Sequence, residues 1–248
     1  MQAPIIRLDT CGSTNTELLR LAESGAEAYT TVVARRQTAG RGRAGHTWEA
    51  PEGSSLTFST LLRPRVTVET LPLVTLCVGV GVCEGVREAT GLPAGLKWPN
   101  DLLVNGRKCA GILCEGVPPG PDGGAAVVAG VGVNVSTPAS ALPVRPIFPA
   151  TSLALEGAAA PDMERLLELL LAGIFRWCGM LERPDGAEKV VVRFNELDAL
   201  RGRRLRVALP DGAVAEGPSL GAAASGALLL EGAEGPFEVL AGSLSLAD

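Results

Sequence analysis

Apolar and polar positions divide the chain into elements of two periods. Residues 5–9 read as a short strand, and Leu18, Leu19, Leu21 and Ala22 form the apolar stripe of a helix. Thr14 with Glu17 predicts a capping box at its start, and Gly25 its end. β-Branched residues mark a strand over 30–36, a glycine-rich loop follows over 37–54, and 56–63 is strand-like again. Residues 71–90 read as a buried helix whose small residues allow close packing, ended by Gly91. Pro99 pushes Trp98 towards extended geometry, so 97–99 is not helical. Asn105-Gly106 between 102–104 and 108–114 predicts a hairpin on a type I′ turn. Strand 125–135 and helix 161–181 follow.

After Leu200 the texture changes. Short apolar runs at 205–209, 213–216, 227–231 and 236–240, separated by tight turns, predict a small all-β barrel. The layout is therefore an α+β chain: a mixed-sheet domain over 1–200 and a β module over 201–248.

Composition narrows the class. A hydrophobic fraction of 46% supplies a core. The longest apolar stretch, 71–82, is too short and too interrupted to span a bilayer. No basic-then-apolar leader opens the chain, so a soluble cytoplasmic protein is expected. The net charge of −5 opposes binding nucleic acid over the whole surface, so a polyanion needs a local patch. Six cysteines form no C-x-x-C pair and His46 is the one histidine; reduced thiols fit better than a zinc site. Positive charge is written almost wholly as arginine, with lysine at 97, 108 and 189 alone. Lysine is a compact point charge whose pKa can shift, so Lys97 and Lys108 are candidates for a chemical role.

The richest segment is Q-T-A-G-R-G-R-A-G-H-T-W at 37–48. Its glycines match the dinucleotide fingerprint and come within one residue of a P-loop. Both patterns require a helix directly after the glycines, and Pro51 with Gly53 argues against one. What survives is a backbone that can approach an anion, with the guanidinium forks of Arg41 and Arg43 beside it and the ring of Trp48 for a base to stack on. The glycines of 130–134 allow close approach by a ligand or by a neighbouring segment.

In this order, S-T-N at 13–15, the 37–48 loop, A-P-E-G at 50–53, K-W-P-N-D-L at 97–102, R-K-C-A-G-I-L-C-E at 107–115 and G-V-G-V-N-V at 130–135 resemble the biotin protein ligases. The resemblance covers the whole mixed-sheet domain, and the module after Leu200 is similar to the family's SH3-like carboxy-terminal domain. It implies activation of biotin by ATP to biotinyl-5′-AMP, then transfer to one lysine of a biotin carboxyl carrier protein such as that of acetyl-CoA carboxylase. By motif position it implies Arg43 and Lys97 as catalytic. Ser13, Thr14, Asn15, Gln37, Gly40, Arg41, Gly42 and Gly111 join them around biotin, and Trp48, Asn100 and Asn134 join them around the nucleotide. Mg²⁺ is expected on the triphosphate, held mainly by phosphate and water oxygens, with no protein ligand assigned. Asp101 is either the base for the carrier lysine or a turn-capping residue.

Loop 37–48 is expected to order when it covers a reactive anhydride. His46 and Ala50 stand where many members carry arginine and serine, and Thr38 where glutamine is frequent. Bifunctional members carry a helix-turn-helix domain before S-T-N. Twelve residues precede Ser13, so the monofunctional type without specific DNA binding is expected. Homodimerisation stays open, because family members dimerise through a sheet edge or not at all. The rivals are lipoate or octanoate ligation on a related fold, and a module that binds a biotin-like ligand or a nucleotide without catalysis.

Overall fold

The computed structural model describes residues 4–118, 124–144, 147–159 and 161–247. Strands β1 (Ile5–Cys11), β2 (Thr31–Gln37), β3 (Ser55–Leu62), β4 (Gly95–Lys97), β5 (Asp101–Val104), β6 (Arg107–Val117) and β7 (Ala126–Asn134) form one sheet in the order β1-β2-β3-β7-β6-β5-β4. Only β1 and β2 pair in parallel, joined across helix α1 (Thr14–Glu23); every other neighbour is antiparallel. This is the mixed sheet expected.

The two faces of the sheet are covered differently. In β7, Val127, Ala129, Val131 and Val133 bury against helices α2 (Leu73–Thr90), α3 (Met163–Leu181) and α4 (Gly186–Leu197). Val128 faces the other way and packs with Leu61 and Val32 under Leu18 and Ala22 of α1. Beyond Val128 on that face come Gly130 and Gly132, and there the apolar packing gives way to a cavity. Helices α2 and α3 cross in backbone contact: a Cβ on Gly81 would lie 2.4 Å from the amide nitrogen of Ile174. Gly81 and Gly173 thus meet where any side chain would force the helices apart, the close packing that the small residues predict.

Several local readings need correction. The capping box does not form: Ser13 is the N-cap without a side-chain cap bond, and the Thr14 hydroxyl bonds Gln37 and Ser59 instead. Partners 23 and 45 residues away outcompete the local amide. Helix α4 is not among the elements predicted above, although Val190, Phe194 and Leu197 repeat at helical spacing. Strand β9 (Val214–Ala222) runs through Gly217 and Pro218, where the sequence suggests an earlier stop.

β9 pairs with β8 (Arg204–Ala208) and β10 (Leu228–Gly232), flanked by β12 (Ser243–Leu246) and β11 (Gly235–Val239). This antiparallel sheet shares one continuous core with the helices, contributing Leu205, Val207, Leu228 and Leu230. Trp98 Nε1 donates to the Gly226 carbonyl (3.0 Å), and the Asn195 amide of α4 bonds both backbone groups of Ala222. Among the described residues no helix is long and apolar enough to cross a membrane.

Candidate active site

The glycine-rich segment is a folded hairpin. Gly42 N donates to the His46 carbonyl (2.7 Å) and Trp48 N to that of Gly40 (2.9 Å), around one 3-10 turn at Arg43–Gly45. No α-helix follows it and the next element is β3, as expected from rejecting the two nucleotide fingerprints. A Cβ on Gly40 would sit 2.3 Å from the Trp48 carbonyl oxygen, which fixes glycine there. The Trp48 indole lies flat on the sheet: a Cβ on Gly132 would be 2.5 Å from its ring, and one on Gly111 3.3 Å. Its Nε1 is buried without a hydrogen-bond partner. Gly130 gives the same room to Asn15, whose Oδ1 would be 2.0 Å from a Cβ. The neighbouring-segment alternative therefore accounts for both strand glycines.

Between this hairpin, the β4–β5 turn, Phe148 and the β8–β12 edge of the carboxy-terminal sheet lies a cavity of about 560 Å³. That size suits a small-molecule site, which commonly measures roughly 300–1,000 Å³. Arg41, Arg43, Lys97 and Lys108 line it, and Asp101 is the one carboxylate among the described residues that do. Ser13, Thr14, Asn15 and Gln37 form one end; Gly42, Trp48, Asn100 and Gly111 are also in its wall. Gly40 and Asn134 are not. Asn134 is buried, its Oδ1 accepting from Ser55 (3.3 Å) and its Nδ2 donating to the Thr151 carbonyl (3.0 Å).

The hairpin β5–β6 turns on Asn105 and Gly106, both at positive φ (50° and 74°), as a type I′ turn requires. A register shift between Leu102 and Leu103 sets Lys108 opposite Leu103, where regular pairing would bring Cys109. Such a bulge re-aims a side chain. Here Lys108 Nζ bonds Asp101 Oδ1, while Lys97 Nζ bonds Asp101 Oδ2 at 3.0 Å. Burial alone would raise the Asp101 carboxyl, but the two ammonium groups outweigh it and hold it below the usual carboxylate range. Lys97 also stands 5.1 Å from the Phe148 ring centroid, a cation–π distance.

On the opposite wall Arg43 donates to Asn100 Oδ1 (3.3 Å), and Asn100 Nδ2 donates to the Ile112 carbonyl (2.6 Å). Arg41 pairs with Glu115 (2.6 Å). Sequence reasoning singled out Lys108 by residue type but gave it no site. It missed Phe148 and the segments 208–210 and 241–244, which line the cavity from far along the chain. Only the bulge and the docking of the second sheet bring these residues in, and neither leaves a local signal.

The arrangement is a cationic cleft with a polar end and two aromatic side chains, Trp48 and Phe148, in its wall. Residues 9–134 match the model of the biotin/lipoate A/B protein ligase family. The bifunctional ligase/repressor BirA of Bacillus subtilis is 36% identical over 67% of this chain and 51% of its own length. The chain thus spans about half of that relative. The biotin–acetyl-CoA-carboxylase ligase of Mycobacterium tuberculosis is 37% identical over 81% of this chain and 73% of its own. The biotin protein ligase of Aquifex aeolicus, solved in complex with biotin and ATP, superposes with a TM-score of 0.82 at 27% identity, covering 98% of this chain and 99% of that one. A family match across half the chain, joined to a superposition that includes both sheets, leaves one assignment: the chain belongs to the biotin/lipoate A/B protein ligase family.

Proposed function

We propose that this protein activates biotin with ATP and passes it to a lysine of a carboxylase carrier protein. The observation that carries this reading is the cavity with Lys97, Lys108, Arg41 and Arg43 around a single carboxylate. In the first step an oxygen of the biotin carboxylate bonds to the α-phosphorus of ATP, and the bond from that phosphorus to pyrophosphate breaks. Two anions must meet, so positive charge and positioning do more than a base. Arg43, Lys97 and, added by the geometry, Lys108 serve the carboxylate and α-phosphate. Arg41 with the Gly40–Gly42 backbone closes over them, and Gly111 serves biotin indirectly, by giving room to Lys108 and the Trp48 ring. Ser13, Thr14, Asn15 and Gln37 offer donors and acceptors to the ureido ring. Trp48 and Asn100 serve the nucleotide, and Asn134 supports the β3–β7 end from behind. Mg²⁺ would be held by phosphate oxygens of the nucleotide and by water, since both oxygens of Asp101 already hold ammonium groups.

In the second step the carrier amine attacks the acyl carbon, the amide bond forms, and AMP leaves. Asp101 orients the two lysines in this reading; a carboxylate held below its usual range is a poor proton acceptor. The five-stranded module over 201–248, read as SH3-like, completes the cavity rim beside a catalytic domain over 1–200.

The test is pyrophosphate release with Mg-ATP in the presence of biotin, lipoate or no acid, with mass spectrometry for the adenylate. Biotin-dependent release with biotinyl-AMP bound is expected. A lipoate-only signal would move the substrate, and silence from folded protein would overturn the reaction.

A further inference from the structure

We propose that Glu115 is a positioning residue that locks the glycine-rich hairpin to the polar end of the cavity. The proposal rests on the reading above for its substrate, but its geometry is independent of it. Glu115 is not in the cavity wall and acts through two residues that are. Its Oε2 accepts from Arg41 Nη2 at 2.6 Å and from Asn15 Nδ2 at 2.7 Å. Asn15 is buried, and its Oδ1 accepts from the Ser59 hydroxyl (2.5 Å), which also lies 2.7 Å from Thr14 Oγ1. Thr14 in turn donates its backbone N–H to Gln37 Oε1 at 2.7 Å. Gln37 opens the segment on which Arg41 sits, so the chain of bonds closes on itself.

One carboxylate oxygen is thus the point where this ring meets the hairpin. An exposed ion pair alone contributes little, and Arg41 is 40% exposed with Glu115 at 26%. The difference here is that the same oxygen also fixes the amide of Asn15, 3% exposed, on the glycine gap at 130. A carboxylate accepts only, so Asn15 must turn its NH₂ to Glu115 and its oxygen to Ser59. Removing Glu115 frees the Arg41 fork and the Asn15 amide together. The predicted consequence is looser closure and weaker hold on biotin, with the chemical step itself largely intact.

The experiment compares wild type, Glu115→Ala, Glu115→Gln, Arg41→Ala and the double variant Arg41→Ala/Glu115→Ala. Two quantities are read: trypsin cleavage at Arg43 in the protein without substrate, and KM for biotin against kcat for pyrophosphate release. Loss of a charge-assisted bond shared by two donors should raise cleavage and KM about tenfold in Glu115→Ala. The kcat should change less than about twofold, the signature of lost binding rather than lost transition-state contact. Glu115→Gln keeps the accepting oxygen and should fall between the two. In the double variant cleavage should match Glu115→Ala alone, because removing the carboxylate already frees Arg41 along with Asn15.

Unchanged cleavage in Glu115→Ala, effects that multiply in the double variant, or a fall in kcat at constant KM would each overturn the proposal. If Glu115→Ala does not fold, Glu115→Gln alone and combined with Arg41→Ala carries the same comparison. Wild-type protein that releases no pyrophosphate with biotin would sink the functional reading, while the substrate-free cleavage arm still decides the lock.

Discussion

On the β4–β6 side of the cavity, Lys97 and Lys108 divide the two oxygens of Asp101, and the three side chains are only 9%, 15% and 11% exposed. On the hairpin side, Arg41 is 40% exposed and rests on Glu115, and Arg43 reaches across to Asn100. Both walls present positive charge, by different means. The lysine wall is built on paired strands, and its geometry is set by a register shift and a shared carboxylate. The arginine wall is built on glycine-rich backbone, and its geometry depends on a few side-chain bonds that can be made and released. Fixed charge belongs where charge develops during reaction, because it needs no reorganisation at that moment. Releasable charge belongs where substrate enters and product leaves.

The largest effect expected from this contrast is on stability. Asp101→Ala leaves two ammonium groups facing each other in a largely buried site, at a cost of about 3–5 kcal/mol. Urea unfolding at pH 7 measures it. The pH dependence follows from the depressed carboxyl: its contribution is present above the unfolded-state pKa near ~3.9 and is lost as pH falls through the folded value. The gap between variant and wild type should therefore be constant from neutral pH down to about pH 4 and narrow below it. A gap that widens in acid would contradict the shared-carboxylate account.

Activity separates the walls next. Lys108→Ala should slow biotin-dependent pyrophosphate release by about 10²–10³-fold, the loss usual for a preorganised charge on a developing anion. Arg43→Ala, on the exposed side, should cost nearer tenfold, as a charge-assisted bond partly replaced by water. Equal losses at both positions, measured at saturating biotin, would erase the distinction between fixed and releasable charge.

The same contrast explains what the amino-acid sequence could say in advance. The hairpin at Asn105-Gly106 was legible because only a few residue types tolerate positive φ at two successive positions. The glycine-rich segment was legible as a turn with no helix behind it, because Pro51 and Gly53 oppose one. The lysine wall was legible only in part. Lys97 and Lys108 stood out by residue type, but their union through Asp101 depends on the register shift after Leu102, which no local pattern announces. The Thr14 reading failed for a related reason: helix capping is a local rule, and Ser59 and Gln37 arrive only with the sheet. α4 differs, since Val190, Phe194 and Leu197 carry the period locally and only the short link after α3 hides its start. The cavity edge from 208–210 and 241–244 rests on how the two sheets dock.

A second acid just behind the lysine wall shows what burial does to a carboxyl that has no ammonium partner. Asp198 follows α4 and bridges Leu96, the neighbour of Lys97; Ala199 N donates to the Leu96 carbonyl at 2.8 Å. Burial pushes its carboxyl up to about 6, with the Leu200 N–H and Arg201 pulling back only in part. Asp101 is buried too and shifts the other way, because two ammonium groups touch it. The raised value means that Asp198 favours folding fully below its unfolded pKa near ~3.9, and that this benefit is lost as pH rises through about 6. Above that point the folded protein carries a poorly compensated charge. Asp198→Asn keeps an oxygen for the Leu200 N–H, which Asp198 Oδ1 accepts at 2.9 Å, and removes the charge. It should raise stability at pH 7 by about 1–2 kcal/mol, with the gain shrinking to nothing between pH 6 and pH 4. Paired urea titrations of the two proteins across that window decide it. A gain that persists at pH 4 would mean that the asparagine improves packing, and the opposite behaviour of the two acids would then need another cause than their partners.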